Sequence, residues 1–443
     1  MHIETCIYWQ IQLYALGSYI RMEQVMKKYL IITNDIHGIG GGQLYTEAKC
    51  QYLSNNGWNV FVIYYDLPRR SKVYLKRLKA YEDNIIKELQ FPPQFYKNKT
   101  VNTLVDNIKM ILHFEQEEKV VIESNTITGS IWGELLAQSI NAHHLCYILS
   151  EQFNINASVM QFLLFKYQYN MLYGTNEHSL KILFSGNGSE NNAIEGRYLT
   201  AFSEPQIDGE HKNLGVEIDK YDYKIGFLSR LDKHYVIQCI KEICMYAQKH
   251  SNSKFIIYFI GGTDKEKELK PFIKLIKMYD NIDFYCTGPV FPIPENYLSE
   301  MDVVIATAGS VSVAESVGVP VISICVQNDL PFGIYNYTTL SRRDKTDEER
   351  FDNNLGDYLR LVLEEKYCDN HEKIKEFPRW CDCDIDRMEK EFNNQVRIAE
   401  ACDLQYYDIS KISFGIKERI LKKIYANYNL RMTYHKMKIF LKG

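Results

Sequence analysis

The 443-residue sequence lacks the residue spacing that marks a structural metal site. Its eleven cysteines are scattered, and the close pair Cys381 and Cys383 has neither a second pair nor a nearby histidine. Cysteines without such a pattern are typical of proteins in a reducing compartment. We therefore expect a cytoplasmic protein with no metal site.

The sequence also lacks an apolar run long enough to cross a bilayer. The run Cys6–Ile20 is interrupted by Gln10 and Gln12 and falls short of the roughly 20 residues that a membrane helix needs. No basic segment precedes it and no small-residue cleavage site follows, so a signal peptide is not predicted. Because Met26 directly precedes the first strong strand, we treat residues 1–25 as an N-terminal extension.

An excess of one charge is missing overall but present locally. The net charge of −4 gives no reason to expect a nucleic-acid partner. Arg69–Lys79, however, carries six basic residues and no acid, and Lys411–Gly443 carries nine basic residues against the single acid Glu418. These two basic stretches are candidates for contact with an anionic surface.

Repeats of solenoid period are absent, and strands alternate with helices instead. The first half reads as strands at 29–33, 58–65, 119–122 and 145–149, with helices at 43–55, 101–113, 131–140 and 161–173. After a polar linker at 204–213, the second half reads as strands at 223–228, 255–260, 282–286 and 303–306, with helices at 235–250 and 265–278. This pattern predicts an α/β protein with two doubly wound domains, 26–205 and 214–385, followed by C-terminal helices and a basic tail at 386–443.

The first strand leads into a glycine-rich loop, Gly38-Ile39-Gly40-Gly41-Gly42. Glycines there let a row of backbone N–H groups approach a ligand closely, although they are also compatible with a simple tight turn. Asp66 ends the next strand, as in a dinucleotide-binding unit. Gln43 nevertheless occupies the third glycine position of that fingerprint, so a dinucleotide site is disfavoured.

The stretch Asp302–Ile324 forms the clearest unit of the second half. A buried strand, a turn of small residues and a short helix carrying Glu315 are followed by Pro320 and a second buried strand. Such a unit directs helix N–H groups and one carboxylate toward the carboxyl end of a parallel sheet, where open α/β folds bind phosphorylated ligands.

Two other strand ends lie at the same predicted edge of the sheet. One is followed by Arg230 and Lys233, and the other opens into a turn with Gly288 and Val290. Because carboxyl ends of parallel strands meet at one edge, these residues should lie near Glu315.

Three motifs in this order resemble the glycosyltransferase family 4 group, whose fold is GT-B, over roughly residues 26–330. Gly41-Gly42 matches its glycine loop, and Arg230-Leu231 with Lys233 matches its cationic turn. The segment 315–320 is similar to its Glu-containing helix. The resemblance implies two Rossmann-like domains facing a central cleft.

The resemblance also implies residue roles at a nucleotide-sugar site. Arg230 and Lys233 would neutralise the donor diphosphate, and Glu315 would accept hydrogen bonds from the ribose diol. The remaining implied donor-binding residues provide backbone or border the base: Gly41, Gly42, Gly288, Val290, Gly309, Ser310 and Val311. No metal and no cofactor are required in this family, and Asp382-x-Asp384 lies far along the chain from the site.

The sequence departs from the family pattern at several positions. Thr307 occupies the position of a first, sugar-contacting glutamate, and Lys233 follows Arg230 sooner than usual. A first-domain strand that often ends in histidine ends here at Ser150-Glu151. His143 and His144 before that strand are interpreted as ordinary surface or helix-end histidines.

The expected activity is that of a retaining, hexosyltransferase-type glycosyltransferase acting on a saccharide or lipid-linked acceptor, in cell-envelope or exopolysaccharide synthesis. An inverting reaction would need a first-domain base, for which Glu151 is the candidate. Ile416, Ile420, Leu421, Ile424 and Tyr428 form an apolar stripe on a basic C-terminal helix. That stripe fits either an anionic inner membrane face or packing on the protein itself. The alternatives are a catalytically silent binding or chaperone subunit of another transferase, and a sugar-nucleotide epimerase.

Overall fold

A computed structural model describes most of the chain. The residues described are 27–65, 74–115, 118–149, 155–176, 179–185, 196–203, 207–231, 233–262, 266–326, 328–342, 353–375 and 385–426. The following predicted features therefore lie outside the described residues: Asp66, Ser150, Glu151, the pair Asp382 and Asp384, residues 1–26, and residues 69–73 and 427–443 of the two basic stretches.

The first half forms a five-stranded parallel sheet. Its strands are β1 (Lys27–Thr33), β2 (Asn59–Tyr64), β3 (Lys119–Ser124), β4 (His143–Tyr147) and β5 (Leu172–Tyr173), in the order β2-β1-β3-β4-β5. The helices are α1 (Gly41–Asn55), α2 (Asn98–Ile111), α3 (Ile127–Ile140), α4 (Ala157–Gln168) and α5 (Ser179–Ser185).

The second half forms a six-stranded sheet in the order β13-β12-β11-β7-β8-β9, in which the edge strand β13 is antiparallel. Its strands are β7 (Tyr223–Ser229), β8 (Phe255–Gly261), β9 (Ile282–Cys286), β11 (Val303–Ala306), β12 (Val321–Ile324) and β13 (Pro331–Ile334). Its helices are α6 (His234–Lys249), α7 (Glu266–Ile276), α8 (Asn296–Ser299), α9 (Gly309–Glu315), α10 (Leu355–Leu363) and α11 (Tyr367–Asn370).

Two short strands, β6 (Ile207–Asp208) and β10 (Ile293–Pro294), pair with each other outside the main sheets. Strand β6 lies within the stretch 204–213 that was predicted as a polar interdomain linker, so the polar composition there concealed a strand. The domain boundary at 205–214 stays a prediction.

Both faces of each sheet are covered, as buried parallel strands require. Along β1, Tyr29 and Ile31 join the apolar cluster on one face, and Leu30 and Ile32 join the cluster on the other. Along β7, Ile225 and Leu228 divide in the same way. The predicted α/β architecture with two Rossmann-like domains is confirmed.

The chain returns to the first sheet after finishing the second. Helix α12 (Ile385–Glu400) places Phe392, Val396 and Ala399 in the apolar cluster that contains Tyr29. Helix α13 (Ile416–Ala426) follows, and the preceding Phe414 packs against Phe95. The C-terminal helices thus pack on the elements of the first sheet.

A buried polar network fixes α12 in place. The Glu123 carboxylate accepts hydrogen bonds from the hydroxyls of Tyr29 (2.7 Å) and Tyr45 (2.9 Å). Gln395 of α12 accepts from Lys49 Nζ at 2.7 Å, and its Oε1 lies 3.0 Å from the Tyr45 hydroxyl. Its Nε2 donates to the Thr200 carbonyl at 2.8 Å. Because every member has partners, the network specifies one seating of the helix.

The helix predicted at 161–173 is wrong over its last five residues. Helix α4 ends at Gln168, and Asn170 adopts a left-handed backbone conformation with φ of 58°. The Met171 N–H then closes the turn on the Lys166 carbonyl at 2.8 Å, and β5 begins at Leu172. The end of this helix was not predicted, because the sequence there is aromatic-rich and the left-handed residue is an asparagine instead of the usual glycine.

The interpretation of His144 as a surface or helix-end residue is also wrong. His144 lies inside β4, is 1% exposed, and its Nδ1 is 2.7 Å from Glu134 Oε2. Lys166 Nζ donates to the same oxygen at 2.8 Å, and the Tyr407 N–H donates to the other at 2.6 Å. His143, by contrast, is partly exposed and contacts the Cys402 carbonyl.

Burial and the charge of Lys166 lower the pKa of His144 to about 4, so this histidine is neutral near pH 7. Burial raises the pKa of Glu134, but the hydrogen bond from His144 and the charge of Lys166 outweigh it and lower that pKa to about 2. Lys166 therefore balances a Glu134 carboxylate that is ionised and fully hydrogen-bonded.

This cluster predicts acid sensitivity in two windows. The unfolded chain protonates His144 below about pH 6.5, whereas the folded chain protonates it only near pH 4. The free energy of unfolding should therefore decrease as the pH is lowered from about 6.5 to about 4. Glu134 extends the loss from about pH 4.5 toward pH 2.

Denaturant unfolding of His144→Asn should lack most of the wild-type slope between pH 6.5 and 4. The total loss of unfolding free energy due to His144 across this window is up to about 3 kcal/mol. His143→Asn is the control, and parallel wild-type and His144→Asn profiles would contradict the assignment.

Candidate functional site

The order of the second sheet reverses at one point. From β7 the chain adds β8 and β9 on one side, then crosses to add β11 and β12 on the other. The loops after β7 and β11 therefore diverge and leave a crevice at the carboxyl edge, where ligands of open α/β sheets bind. Register pairs Ala306 with Leu228 and Ser229 with Gly261, so the predicted site residues after these strands share this edge.

The turn after β7 carries two of the predicted residues. Arg230 directly follows the strand, and the Lys233 N–H donates to the Arg230 carbonyl at 3.4 Å. Both residues are partly exposed, and Lys233 occupies the N-cap position of α6. The structure thus places both cations on one tight turn at the switch point.

The neighbouring strand ends are joined by left-handed glycines. Gly261 (φ 96°) and Gly262 (φ 78°) end β8, and Gly288 (φ 71°) follows β9. The Gly261 N–H donates to Thr287 Oγ1 at 3.0 Å, and Gly261 forms a bridge with Gly288. The turn with Gly288 is therefore drawn back toward β8, and Val290 packs on the cluster that covers this face of the sheet.

The turn before α9 is strained. Ala308 has φ of 54° and ψ of −129°, a conformation that residues other than glycine rarely adopt and that costs roughly 1–3 kcal/mol. Its N–H donates to the Arg342 carbonyl at 2.6 Å, which holds the turn in place. Strain retained at a switch point indicates a functional constraint.

The three backbone donors predicted on α9 divide into two groups. The Val311 side chain is fully buried, and its N–H donates to the Ala308 carbonyl at 3.2 Å. Gly309 and Ser310 open the helix, so their N–H groups have no acceptor within it. Gly309 is exposed and Ser310 is partly exposed, so these two N–H groups are the candidates to contact a ligand.

Glu315 ends α9 and is mostly buried. Its Oε1 accepts from Lys373 Nζ at 2.8 Å and from Asn336 Nδ2 at 3.3 Å. The carboxylate is therefore held by two donors, in contrast to a solvated helix residue.

Thr307 replaces the acid expected from the family pattern with a hydroxyl that stabilises the turn. It donates to the Ile324 carbonyl at 2.9 Å, which ties the end of β11 to β12. Arg342 lies beside it and donates through Nη1 to Ser312 Oγ. Sequence reasoning missed Arg342, Lys373 and Asn336, because no spacing relates them to the motifs.

The first sheet has its own switch point, between β1 and β3. Gly41 and Gly42 begin α1 at the carboxyl end of β1. Just before them, His37 Nδ1 is 2.8 Å from Asp35 Oδ1, and its Nε2 is 2.8 Å from the Tyr74 hydroxyl. This buried Asp–His–Tyr chain was also missed, although Asp35 and His37 stand only two residues apart.

No protein-family model matches the sequence, and no curated protein matches it. Among solved structures, it is similar to a glycosyltransferase from Rickettsia africae ESF-5, with 14% identity and a TM-score of 0.51 over 88% of this chain and 100% of that one. The chain has the GT-B fold. A trehalose-6-phosphate protein from E. coli bound with UDP-2-fluoro glucose gives a TM-score of 0.52 at 10% identity, over 84% and 99% of the two chains. The expected resemblance to GT-B glycosyltransferases is thus confirmed for the fold, which is what similarity at these identities shows.

In this GT-B chain, the glycines of the site differ in what the protein requires of them. A Cβ built on Gly262 would lie 2.9 Å from Cys286 Sγ, at a left-handed φ. A Cβ built on Gly41, Gly42 or Gly309 would meet no described atom within 4 Å. Packing therefore explains Gly262 and does not explain the other three.

This difference predicts opposite effects on stability. Gly262→Ala should lower the free energy of unfolding by about 1–2 kcal/mol, because alanine resists the left-handed conformation. Gly309→Ala should leave it unchanged or raise it slightly, since alanine favours helix. Chemical denaturation of both variants measures the contrast, and a clear loss in Gly309→Ala would show that the fold itself needs that glycine.

Proposed function

We propose that this protein is a retaining glycosyltransferase that moves a hexosyl group from a nucleotide diphosphate sugar to a saccharide or lipid-linked acceptor. Cell-envelope or exopolysaccharide synthesis is the proposed setting. The observation that carries the proposal is the switch point of the second sheet. There a cationic turn, the strained Ala308 and the start of α9 share one edge, and the far end of α9 carries the held Glu315 carboxylate.

The proposed donor site assigns each group a task. Arg230 and Lys233 bind the diphosphate and stabilise the charge that develops on it, and the N–H groups of Gly309 and Ser310 contact phosphate. Glu315 accepts hydrogen bonds from the ribose, whereas Gly288 and Val290 border the base. Gly41 and Gly42 approach the donor from the first domain, where their lack of side chains leaves room.

The proposed reaction needs no metal and no cofactor. The bond between the anomeric carbon and the diphosphate oxygen breaks, and its electron pair leaves on the diphosphate. The acceptor oxygen attacks the same face, and its proton passes to a donor phosphate oxygen, so the anomeric configuration is retained. An inverting reaction would instead need a protein base. Glu151 stays a proposal for that base, and the Asp35–His37 pair is a second one.

A donor screen tests this function. Thermal unfolding is measured with UDP-, GDP-, ADP- and CMP-sugars, because a ligand at about 100 times its Kd stabilises the folded state by about 2.7 kcal/mol. Glu315→Ala should lower the affinity for the stabilising donor by about tenfold or more, since it removes a charged hydrogen-bond acceptor. Arg230→Ala should mainly lower turnover.

Glu300→Ala and Lys241→Ala, at exposed positions of the same domain, are the matched controls. No stabilisation by any donor would refute the proposed site. Binding without transfer would favour the silent binding or chaperone subunit, and release of an epimer would favour the sugar-nucleotide epimerase.

We further propose that the protein binds the inner membrane face peripherally through α13. Ile416 and Ile420 on this helix are 79% and 54% exposed, beside Lys417, Arg419 and Lys423. The helix is anchored to the first half of the chain, because Asn156 donates to Glu418 and the preceding Phe414 packs against Phe95. Among the described residues no helix is both long and apolar enough to span a bilayer.

The membrane proposal predicts a lipid-dependent change. Wild-type protein should sediment with phosphatidylglycerol vesicles and less with phosphatidylcholine vesicles, since each basic residue near an anionic surface contributes about 1 kcal/mol. Ile416→Ser with Ile420→Ser should release it, whereas Ile385→Ser, at another exposed isoleucine, should not. Equal sedimentation of all three proteins would contradict the proposal.

A further inference from the structure

We propose that Lys373 and Asn336 are positioning residues that fix the Glu315 carboxylate for a ribose diol, and so select ribonucleotides over 2′-deoxyribonucleotides. This inference rests on the proposed function, because it takes Glu315 as the ribose-binding group. It adds two residues that no sequence motif identifies, 21 and 58 positions beyond Glu315.

The two donors address the same carboxylate oxygen. Lys373 Nζ and Asn336 Nδ2 reach Oε1 at 2.8 and 3.3 Å, and neither of them addresses Oε2. The Glu315 side chain is 11% exposed, so the carboxylate is mostly shielded yet keeps an opening to solvent. An ionised carboxylate only accepts hydrogen bonds, and Oε2 is left for donors such as vicinal hydroxyls.

Asn336 is rigid enough to act as a fixed point. It is fully buried and adopts a left-handed backbone conformation with φ of 64°. Its carbonyl accepts from the Ile374 N–H at 2.7 Å, and its side chain exchanges two hydrogen bonds with the Lys375 backbone at 2.7 and 2.9 Å. These three bonds fix the backbone next to Lys373, so the ammonium group and the Asn336 amide approach Glu315 as one unit.

The arrangement serves orientation better than stability. The Lys373 side chain is 32% exposed, and ion pairs with this degree of solvent access contribute little to folding. A free glutamate would lose side-chain entropy on binding a diol, whereas a glutamate already held by two donors has lost it beforehand. Removal of the clamp should therefore affect ligand selectivity more than the melting temperature.

Titration calorimetry with paired nucleotides tests this inference. The wild type, Lys373→Met and Lys373→Gln are titrated with UDP, GDP and ADP and with the 2′-deoxy form of each. Wild-type protein should bind the preferred ribonucleotide about tenfold or more tightly than its 2′-deoxy form, as expected for a hydrogen bond to a charged group. In Lys373→Met this ratio should fall toward one, mainly through weaker binding of the ribonucleotide, and Lys373→Gln should lie between the two.

Lys375→Met is the matched control. It removes the same charge two positions away, and Asn336 contacts only the backbone of Lys375. This variant should keep the wild-type ratio, and the melting temperatures of all variants without ligand report whether they fold.

The outcomes separate the two levels of the proposal. A wild-type ratio in Lys373→Met would overturn the inference and leave the proposed function standing. An equal loss for both sugars in that variant would also overturn it, since Lys373 would then act on the diphosphate or on the fold. No binding of any nucleotide to the wild type would instead refute the donor site on which the inference rests.

Discussion

The reversal of strand order in each sheet is the constraint on which the candidate site depends. Parallel strands send their carboxyl ends to one edge, and the reversals between β1 and β3 and between β7 and β11 open a crevice at that edge in each domain. The chain supplies its chemistry at these places: glycines and an Asp–His pair after β1, cations after β7, and a strained turn with a held carboxylate after β11.

The second domain keeps one acid of the expected pair, Glu315, and has Thr307, which makes a structural hydrogen bond, in place of the other. Glu315 is held by a lysine and an amide, whereas Thr307 ties neighbouring strands together through its hydroxyl. Arg342 also reaches this edge, so the local charge where a sugar-contacting acid was expected is more positive than the family pattern implies. The proposed donor binding therefore rests on more of the observed contacts than any proposed contact with the transferred sugar.

Much of the fold follows from local sequence, and the limits of that reasoning are physical. Continuous apolar runs such as Tyr29–Thr33 and Val303–Ala306 are strands because both faces of a parallel sheet are buried. The end of α4 was missed because Asn170, and not glycine, takes the left-handed conformation. Glu134, His144 and Lys166 were missed as a cluster because they lie on three separate elements. Lys373 reaches Glu315 across 58 positions, and no local pattern encodes such a contact.

The return of α12 to the first domain has a consequence for how the protein is made. The apolar face around Tyr29 and Tyr45 is completed by Phe392, Val396 and Gln395, which follow the last strand of the first sheet by about 220 positions. At a synthesis rate of about 5–20 residues per second, that face stays uncovered for roughly ten to forty seconds while the second domain emerges. The second domain, whose strands and covering helices α6 to α10 are consecutive, is able to fold first. The first domain, although translated earlier, completes its core last, and its apolar face stays exposed during that interval.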